Sequence, residues 1–370
     1  MNGDVYILGA GASFESGAPL MNNFLDVAED LLLKEAFSNE DSKEIQLVFD
    51  LISELQIVHS KAQLDLNNIE SLFGAIEMGI ILGRLTPKSK DIAKYKKALT
   101  TLISKTLIKS MRFPFAEIKE ISNTPIFKSS ESYNNFVELL KGDKIVTASV
   151  LTFNYDLGLD IAFHYNEIDI DYRLNEATNN FNLLKLYGSI NWYTTNNKKI
   201  EYLSIKEVMS SYLMREEYQK RKFINGKEEN FDINKYIDSI NTNNTTKTVI
   251  IPPTWNKTDY HGQLTKVWKA AAEKLSNAQN IYIIGYSLPE SDSFFRYLFA
   301  LGTISKNRIR NIIVYNPENS GDTESRFRNL FGLSTERRFQ YKPLTFSEAI
   351  LDIAKTKDIK LATNKSQNHW

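Results

Sequence analysis

A glycine-rich segment near the N-terminus has the spacing of a loop that holds a phosphate group. It follows a short apolar run and consists of Gly9, Ala10, Gly11, Ala12 and Ser13. Glycines between a strand and a helix let backbone N–H groups approach a pyrophosphate, and the helix start adds a favourable dipole. The usual dinucleotide fingerprint has a third glycine where this chain has Phe14. The segment therefore predicts phosphate binding, with a tight turn without ligand as the alternative, and it departs from the dehydrogenase pattern.

A second polar segment follows an apolar run and contains Asn154 and Asp156. Ligands of open α/β sheets bind outside the carboxyl ends of the strands, so Asn154 is placed to face a ligand. Its amide could orient a water molecule or a ribose hydroxyl group. The alternative is that Asn154 caps the helix whose pattern starts at Leu157.

Three further apolar runs end in a similar way. They are followed by Gly188, by Gly285 with Ser287, and by Asn316. Asn316 could contact a ribose or an adenine edge, and its alternative role is an ordinary asparagine–proline turn. Any one of these segments could be only a turn, but five of them at strand ends predict a single crevice in a doubly wound sheet.

The strands that must position these residues are short, apolar and mostly separated by helical patterns. They are predicted at residues 4–8, 144–153, 181–186, 249–251, 281–284 and 312–314. Strands that alternate with helices are typical of a parallel sheet. The predicted fold class is therefore α/β, with a doubly wound, Rossmann-like parallel sheet formed by residues 1–20 and 141–350.

Between the first strand and the rest of the sheet, apolar residues recur at helical spacing. We predict a large inserted helical module over residues 21–140, with no sheet strand in it. Asn67 followed by Glu70 is typical of the capped start of one of its helices. Residues 195–248 predict a partly polar surface insertion, and residues 356–370 predict a tail.

The composition limits the possible function classes. The chain of 370 residues is 42% apolar, and its 45 basic and 45 acidic residues balance, which gives no footprint for direct nucleic-acid binding. The absence of cysteine excludes disulfides, thiolate zinc sites and cysteine nucleophiles, and the four histidines show no ligand spacing, so we expect no metal. No run approaches the ~18 apolar residues of a membrane span, and no signal segment is evident. We expect a cytoplasmic protein without a membrane partner.

Together, the five segments resemble the sirtuin-like superfamily and, within it, the NAD hydrolases of bacterial antiphage defence. The matching positions are residues 9–13 with 16–17, 152–156, 187–192, 285–292 and Asn316. In protein-deacylating sirtuins the glycine loop continues into a proline–aspartate–phenylalanine–arginine run, and a four-cysteine zinc ribbon is present. Here Pro19 is followed by Leu20 and the chain has no cysteine. The resemblance is therefore to the hydrolases and not to the deacylases.

The resemblance implies that the chain takes NAD as its substrate and converts it to nicotinamide and ADP-ribose. It implies a catalytic role for Asn154, which would orient water or ribose hydroxyls. It implies that the dinucleotide is bound by Gly9, Ala10, Gly11, Ala12, Ser13, Asp156, Gly188, Gly285, Ser287 and Asn316. It also implies antiphage defence by NAD depletion, a homo-oligomer and a partner that is a hexameric motor ATPase. That ATPase would be a separate subunit, because this chain has no Gly-x-x-x-x-Gly-Lys-Ser/Thr phosphate loop.

One catalytic position departs from the family, because Tyr187 stands where the resemblance implies a catalytic histidine. A histidine titrates near ~6.5 and a tyrosine near ~10, so a neutral phenol is a poor general base at pH 7. We therefore predict an impaired hydrolase. Tyr187 belongs either to a member with weakened or altered activity or to an introduced inactivating change, and we favour the second because the other motif positions are intact. The alternative functions are a non-catalytic sensor of NAD or ADP-ribose and a dinucleotide-dependent oxidoreductase, against which Phe14 counts.

Overall fold

The computed structural model describes residues 3–58, 64–87, 91–111, 129–143, 147–194, 199–205, 247–251, 261–290, 292–332, 335 and 337–361. Its helices are α1 (Ala10–Phe14), α2 (Phe24–Leu33), α3 (Asn39–Val58), α4 (Ile69–Leu82), α5 (Ala93–Ser110), α6 (Glu131–Gly142), α7 (Gly158–Tyr165), α8 (His261–Ser276), α9 (Ser293–Gly302), α10 (Asp322–Leu330) and α11 (Phe346–Thr356). Its strands are β1 (Gly3–Leu8), β2 (Ser149–Thr152), β3 (Ile170–Asp171), β4 (Phe181–Lys185), β5 (Gly188–Thr194), β6 (Ile200–Tyr202), β7 (Lys247–Ile250), β8 (Ala278–Ile284), β9 (Asn311–Tyr315) and β10 (Phe339–Lys342). None of the helices in the described part of the chain has the length and apolar character to cross a membrane.

Seven strands form a parallel sheet in the order β10-β9-β8-β1-β2-β4-β3. Strand β1 lies inside this sheet, since Val5 pairs with Ser149 of β2 on one side and with Ile281 of β8 on the other. Residues 6–8 are fully buried, as expected for a parallel strand that is covered on both faces. Helices flank the sheet, which confirms the predicted doubly wound, Rossmann-like fold class.

The direction in which strands are added reverses at β1. The chain places β2, β3 and β4 on one side of β1 and then returns to place β8, β9 and β10 on the other. In open α/β sheets, ligands bind in the crevice outside the carboxyl ends of the strands at such a switch point. The fold therefore puts the candidate site just beyond Leu8, Thr152 and Ile284, where β1, β2 and β8 end.

A separate antiparallel sheet, in the order β6-β5-β7, contains the run at 249–251 that the sequence assigned to the main sheet. That assignment is wrong, because Val249 pairs with Ser189 and Ile250 pairs with Gly188. The chain leaves the main sheet at Gly188, whose φ of +87° lies in the left-handed region, and turns directly into β5. A short apolar run is buried in either kind of sheet, so its pattern does not identify its partner.

Three predicted segments fall partly outside the described residues. Of the strand predicted at 144–153, the structure describes β2 but not residues 144–146. Of the insertion predicted at 195–248, it describes β6 and the start of β7. Of the tail predicted at 356–370, it describes the first residues, among which Ile359 packs against the core of the main sheet.

Helices α2 to α5 pack around a hydrophobic cluster that includes Ala28, Leu72 and Leu102. Among the described residues between β1 and β2 there is no strand. Helix α6 differs from the other helices of this stretch, because Phe136 belongs to the core of the main sheet and its ring meets that of Tyr6 edge-on at 5.4 Å. The boundaries of the inserted module stay a prediction.

Helix α4 begins one residue later than the sequence indicated. Its N-cap is Asn68, whose Oδ1 accepts hydrogen bonds from the backbone N–H groups of Glu70 (2.8 Å) and Ser71 (3.4 Å). The cap predicted at Asn67 is therefore wrong. The two neighbouring asparagines offer the same side chain, and only the backbone conformation decides which of them caps the helix.

Candidate functional site

A cavity of about 110 Å³ lies at the carboxyl ends of β1, β2 and β8. Seven of the residues predicted from the sequence line it, namely Ala10, Ser13, Asn154, Asp156, Tyr187, Gly285 and Ser287. The other predicted residues are not among those that line it; they are Gly9, Gly11, Ala12, Gly188 and Asn316. The structure thus brings four of the five predicted segments to one cavity.

Helices α2, α4 and α5 provide another wall of this cavity. Phe24 of α2 and Leu107 of α5 supply apolar surface, and Glu70 in the first turn of α4 supplies a carboxylate. The Glu70 side chain is almost fully buried. The cavity therefore lies between the main sheet and the helices that are inserted between β1 and β2.

The glycines of the loop after β1 are required by close packing against the loop after β8. A Cβ atom on Gly9 would lie 2.5 Å from the carbonyl oxygen of Gly285, and one on Gly11 would lie 2.8 Å from Gly285 Cα. The backbone N–H of Gly9 donates to Ile284 (3.0 Å), that of Gly11 to Gly285 (2.9 Å) and that of Ala12 to Gly9 (3.0 Å). These three donors are therefore already used inside the protein. The close packing is a different physical cause for the glycines from the phosphate approach inferred from the sequence.

Ser13 joins the loop after β1 to the segment after β2. Its hydroxyl donates to Oδ2 of Asp156 (2.6 Å) and accepts from Nδ2 of Asn154 (2.8 Å). The hydroxyl of Tyr133 lies 2.7 Å from the same oxygen, and it must be the donor because the Ser13 hydrogen is already used. With one bond donated and two accepted, the Ser13 hydroxyl positions Asn154 and has little capacity left for a ligand.

The side chain of Asn154 lines the cavity, and its amide nitrogen makes two hydrogen bonds within the protein. Nδ2 donates to the carbonyl oxygen of Gly9 (2.8 Å) and to Oγ of Ser13 (2.8 Å). Helix α7 has Leu157 as its N-cap and no side-chain cap, so the alternative role of Asn154 as a helix cap is wrong. Because both amide hydrogens are used, Oδ1 is the atom of Asn154 that can accept a hydrogen bond from a water molecule or a ligand hydroxyl.

A buried ion pair between Lys185 and Asp160 stabilises the segment that follows β2. Nζ of Lys185 lies 2.7 Å from Oδ2 of Asp160, and the two side chains are 1% and 0% exposed. Nζ also donates to the carbonyl oxygen of Asp156 (2.6 Å) and to Oγ of Ser189 (2.8 Å). Burial raises the pKa of the Asp156 carboxyl, and the nearby Lys185 and Ser13 oppose this shift. Lys185 thereby ties the segment after β2 to the turn between β4 and β5.

The phenol of Tyr187 is buried and hydrogen-bonded to a carboxylate. Its hydroxyl donates to Oδ1 of Asp292, while Oδ2 of Asp292 accepts from the hydroxyl of Tyr286 (2.6 Å). Burial, and then the negative charge of Asp292, hold the pKa of Tyr187 well above its usual value. The phenol therefore stays neutral at pH 7 and its proton is directed at Asp292. Such a group does not serve as a general base.

Gly188 and Asn316 have structural roles outside the cavity lining. A Cβ atom on Gly188 would lie 2.1 Å from the carbonyl oxygen of Val249. Oδ1 of Asn316 accepts from the backbone N–H of Glu318 (3.1 Å), which forms the turn that was its alternative role. Asn316 still follows β9, the strand beside β8, so a contact with the distal part of a ligand stays a prediction.

Several residues of the site were not predicted from the sequence, among them Glu70, Tyr133 and Asp292. Asp292 ends the motif at 285–292, and a carboxylate at that place could have suggested a partner for a neighbouring donor. Glu70 follows the cap of α4, and an acidic residue in the first turn of a helix is common, so the sequence did not indicate its burial. Tyr133 carries no indication either, because only the fold brings α6 against the loop after β1.

The size and lining of the cavity limit what it can hold. It is smaller than the ~300–1,000 Å³ of sites that enclose a whole drug-sized ligand, so it fits one ring of a larger ligand. Phe153 offers an aromatic face, Asn154 an acceptor oxygen and Glu70 a carboxylate. Within the described ranges, no three His, Asp or Glu side chains are grouped to hold a metal ion, and the absence of a metal stays a prediction.

Comparisons with known proteins find similarity in structure only. No protein-family model matches the sequence, and no curated protein matches it significantly. A solved complex of a Sir2 homologue with NAD is similar at 12% identity and a TM-score of 0.45, over 96% of this chain and 89% of that one. A structure of Sir2 with an inhibitor, 2'-O-acetyl-ADP-ribose and a deacetylated peptide is similar at 11% identity and a TM-score of 0.39, over 96% of this chain and 94% of that one. These likenesses are distant, and nothing about the chemistry of this site follows from them.

Proposed function

We propose that this chain binds NAD in the cavity beyond β1, β2 and β8, and that the cavity is the active site of a sirtuin-like NAD hydrolase. The observation that carries the proposal is the convergence of Asn154 and Tyr187. They follow the paired strands β2 and β4 and line one cavity at the switch point of the sheet. These are the two positions to which the sequence resemblance assigns catalysis.

The reaction would break the bond between the anomeric carbon of the ribose and the pyridinium nitrogen of nicotinamide. Nicotinamide leaves as a neutral molecule, water adds to the carbon, and one proton is released. The site must therefore stabilise an oxocarbenium-like centre and position the water. Oδ1 of Asn154 supplies an acceptor for that water or for a ribose hydroxyl, and Ser13 holds the amide in place. The cavity would receive the nicotinamide end of NAD.

The missing element is a general base. Because Tyr187 is neutral and donates its proton to Asp292, no base acts from that position. Loss of a general base typically costs ~10²–10⁴ in rate. The proposal is therefore an NAD-binding hydrolase fold whose hydrolysis is impaired in this chain.

The wider role that we propose comes from the sequence resemblance. The active form of such an enzyme would deplete NAD in the cytoplasm of an infected bacterium and so act in antiphage defence. It would work as a homo-oligomer together with a separate hexameric motor ATPase. The second candidate function is a non-catalytic sensor of NAD or ADP-ribose, which is favoured by the hydrogen bond that locks Tyr187 to Asp292.

The test combines binding and turnover. Calorimetry with NAD and with ADP-ribose should show that the unchanged chain binds both ligands. Nicotinamide release should be slow or undetectable in this chain, and Tyr187→His should raise it by at least ~10²-fold, the low end of a general-base contribution. Adding Asn154→Ala to the Tyr187→His variant should remove the gain, because the acceptor for water or ribose is then lost.

The outcomes separate the two candidate functions. If neither ligand gives heat at millimolar concentration with the protein folded, the binding proposal fails. If NAD binds but Tyr187→His is as inert as the unchanged chain, the sensor function replaces the impaired hydrolase. If the unchanged chain already hydrolyses NAD quickly, the base is not at position 187, and Asn154 with an ordered water must carry the chemistry.

A further inference from the structure

We propose that Asp292 is the positioning residue for the group at position 187, and that it would hold a histidine placed there through one water molecule. The inference rests on the proposed function, in which a histidine at position 187 would supply the general base that Tyr187 does not. Asp292 is the last residue of the motif at 285–292, and the sequence resemblance gave it no role.

Asp292 makes more contacts than a helix cap needs. It is the N-cap of α9, and its Oδ1 accepts from the backbone N–H of Phe295 (3.1 Å), which completes the cap. The same carboxylate also accepts the hydroxyl protons of Tyr187 and Tyr286 (2.6 Å for the latter). Its side chain is 1% exposed. Burying a carboxylate is costly, and an asparagine or serine would cap the helix without that cost.

The geometry shows what the charge could do for an imidazole. An imidazole is shorter than a phenol, so its outer nitrogen would not reach the place that the Tyr187 hydroxyl occupies. The space left beside Oδ1 of Asp292 would suit one water molecule, because the carboxylate and the imidazole both offer it a hydrogen bond. A carboxylate that holds a histidine in this way fixes its tautomer and favours its protonated form.

Other charged and titratable groups face the same place. The electrostatic effects of Tyr286 and Tyr155 raise the pKa of Tyr187. The charge of Glu70 raises the pKa of Tyr286, and that of Arg296 lowers it. Asp292 accepts a direct hydrogen bond from Tyr187 and carries a full charge, so it should dominate the electrostatic environment of a histidine at this position.

The experiment measures the pKa of the imidazole in the Tyr187→His chain by nuclear magnetic resonance. Its resonance is identified as the one that is absent from the unchanged chain. Adding Asp292→Asn should lower this pKa by about one unit or more, because a nearby negative charge is lost. Adding Tyr286→Phe should raise it, because Asp292 then loses a competing donor. Asparagine can still cap α9, so Asp292→Asn should leave the helix intact. A purely structural role of Asp292 would therefore not shift the imidazole pKa in opposite directions in the two variants.

The matched control is Asp322→Asn, which removes an exposed carboxylate from the start of α10 and should leave the pKa unchanged. If neither Asp292→Asn nor Tyr286→Phe moves the pKa, the proposal is overturned. The shifts do not depend on turnover, so a Tyr187→His chain that shows them without releasing nicotinamide would refute the hydrolase and not the positioning role. If turnover occurs, its pH profile should move with the measured pKa.

A second measurement decides the matter if the Tyr187→His chain does not fold. Tyr187→Phe removes the hydrogen bond between the two residues, and Asp292→Asn removes the negative charge that strengthens this bond, so each should lower the stability of the chain. If the two residues act together, the double variant loses less stability than the sum of the single losses. Strict additivity would overturn the proposal.

Discussion

At the scale of single residues, the site depends on side chains that hold other side chains. Asn154 and Tyr187 line the cavity, but Ser13, Tyr133, Lys185 and Asp292 fix their positions. Buried polar groups of this kind stabilise a single arrangement only when each member is satisfied. The positions of Asn154 and Tyr187 are therefore sensitive to changes in residues that support them from within the protein.

Ser13→Ala should show this sensitivity. The change removes the donor to Oδ2 of Asp156 and the acceptor for Asn154, and it leaves buried polar atoms unsatisfied. We expect a loss of about 1–3 kcal/mol in the free energy of unfolding, measured in urea, together with weaker NAD binding. Ser53→Ala on the exposed face of α3 is the control and should change neither quantity. Unchanged stability in Ser13→Ala would mean that the hydrogen bonds around Ser13 contribute nothing.

At the scale of elements, the loop after β1 packs closely against the loop after β8, and both loops contribute glycines to the contact. Gly9 and Gly11 follow β1, and Gly285 follows β8, with no room for a Cβ atom between them. This contact sets the spacing of the cavity rim, because the neighbouring residues Ala10 and Ser287 line the cavity. Loop packing is thus sufficient to restrict these positions to glycine.

Gly11→Ala should therefore destabilise the protein even without ligand. Its Cβ would sit 2.8 Å from the backbone of Gly285, and the strain of such overpacking is typically about 1–3 kcal/mol. Gly74→Ala in α4 is a matched control, because nothing lies within 4 Å of its new Cβ and alanine favours the helix. Thermal unfolding should show a lower midpoint for the first variant and an equal or higher one for the second. Equal midpoints for Gly11→Ala and the unchanged chain would contradict the packing argument.

The sequence predicted where strands occur better than it predicted which strands pair with each other. The apolar runs that end in polar residues marked β1, β2, β4, β8 and β9, because burial on both faces leaves a clear pattern. The two-residue strand β3 and the mixed strand β10 leave no such pattern, and the run at 249–251 was given the wrong sheet. Asn154 lines the cavity because the strand ends share one edge of the sheet, and its catalytic role stays a prediction. The hydrogen bond between Asp292 and Tyr187 joins segments that are distant in the chain, and no local sequence pattern predicts such a contact.

At the scale of the whole molecule, the cavity lies between two hydrophobic cores. Phe24 and Leu107 belong to the cluster of α2 to α5, and Phe153 and Tyr187 belong to that of the main sheet. We propose that α2 to α5 act as one module that walls the cavity opposite the carboxyl ends of the main-sheet strands. A ligand in the cavity would then contact both cores at once.

Hydrogen exchange with ADP-ribose should test this arrangement. A ligand at 100 times its Kd stabilises the form that binds it by about 2.7 kcal/mol. Amides of α4 and α5 as well as those of β1 and β8 should therefore exchange more slowly when ADP-ribose is bound. Inorganic phosphate at the same concentration is the control. Slower exchange in the strands alone would show that the module does not take part in the site.

The pairing of β1 has a consequence for how the protein is made. Val5 pairs with Ile281, and about three quarters of the chain separates the two residues. At a synthesis rate of ~5–20 residues per second, the ribosome needs tens of seconds to deliver β8 after β1 has emerged. During this time one edge of the apolar strand β1 lacks its neighbour, and unpaired strand edges favour aggregation. The cavity at the carboxyl ends of these strands is therefore completed only after β8 has been synthesised.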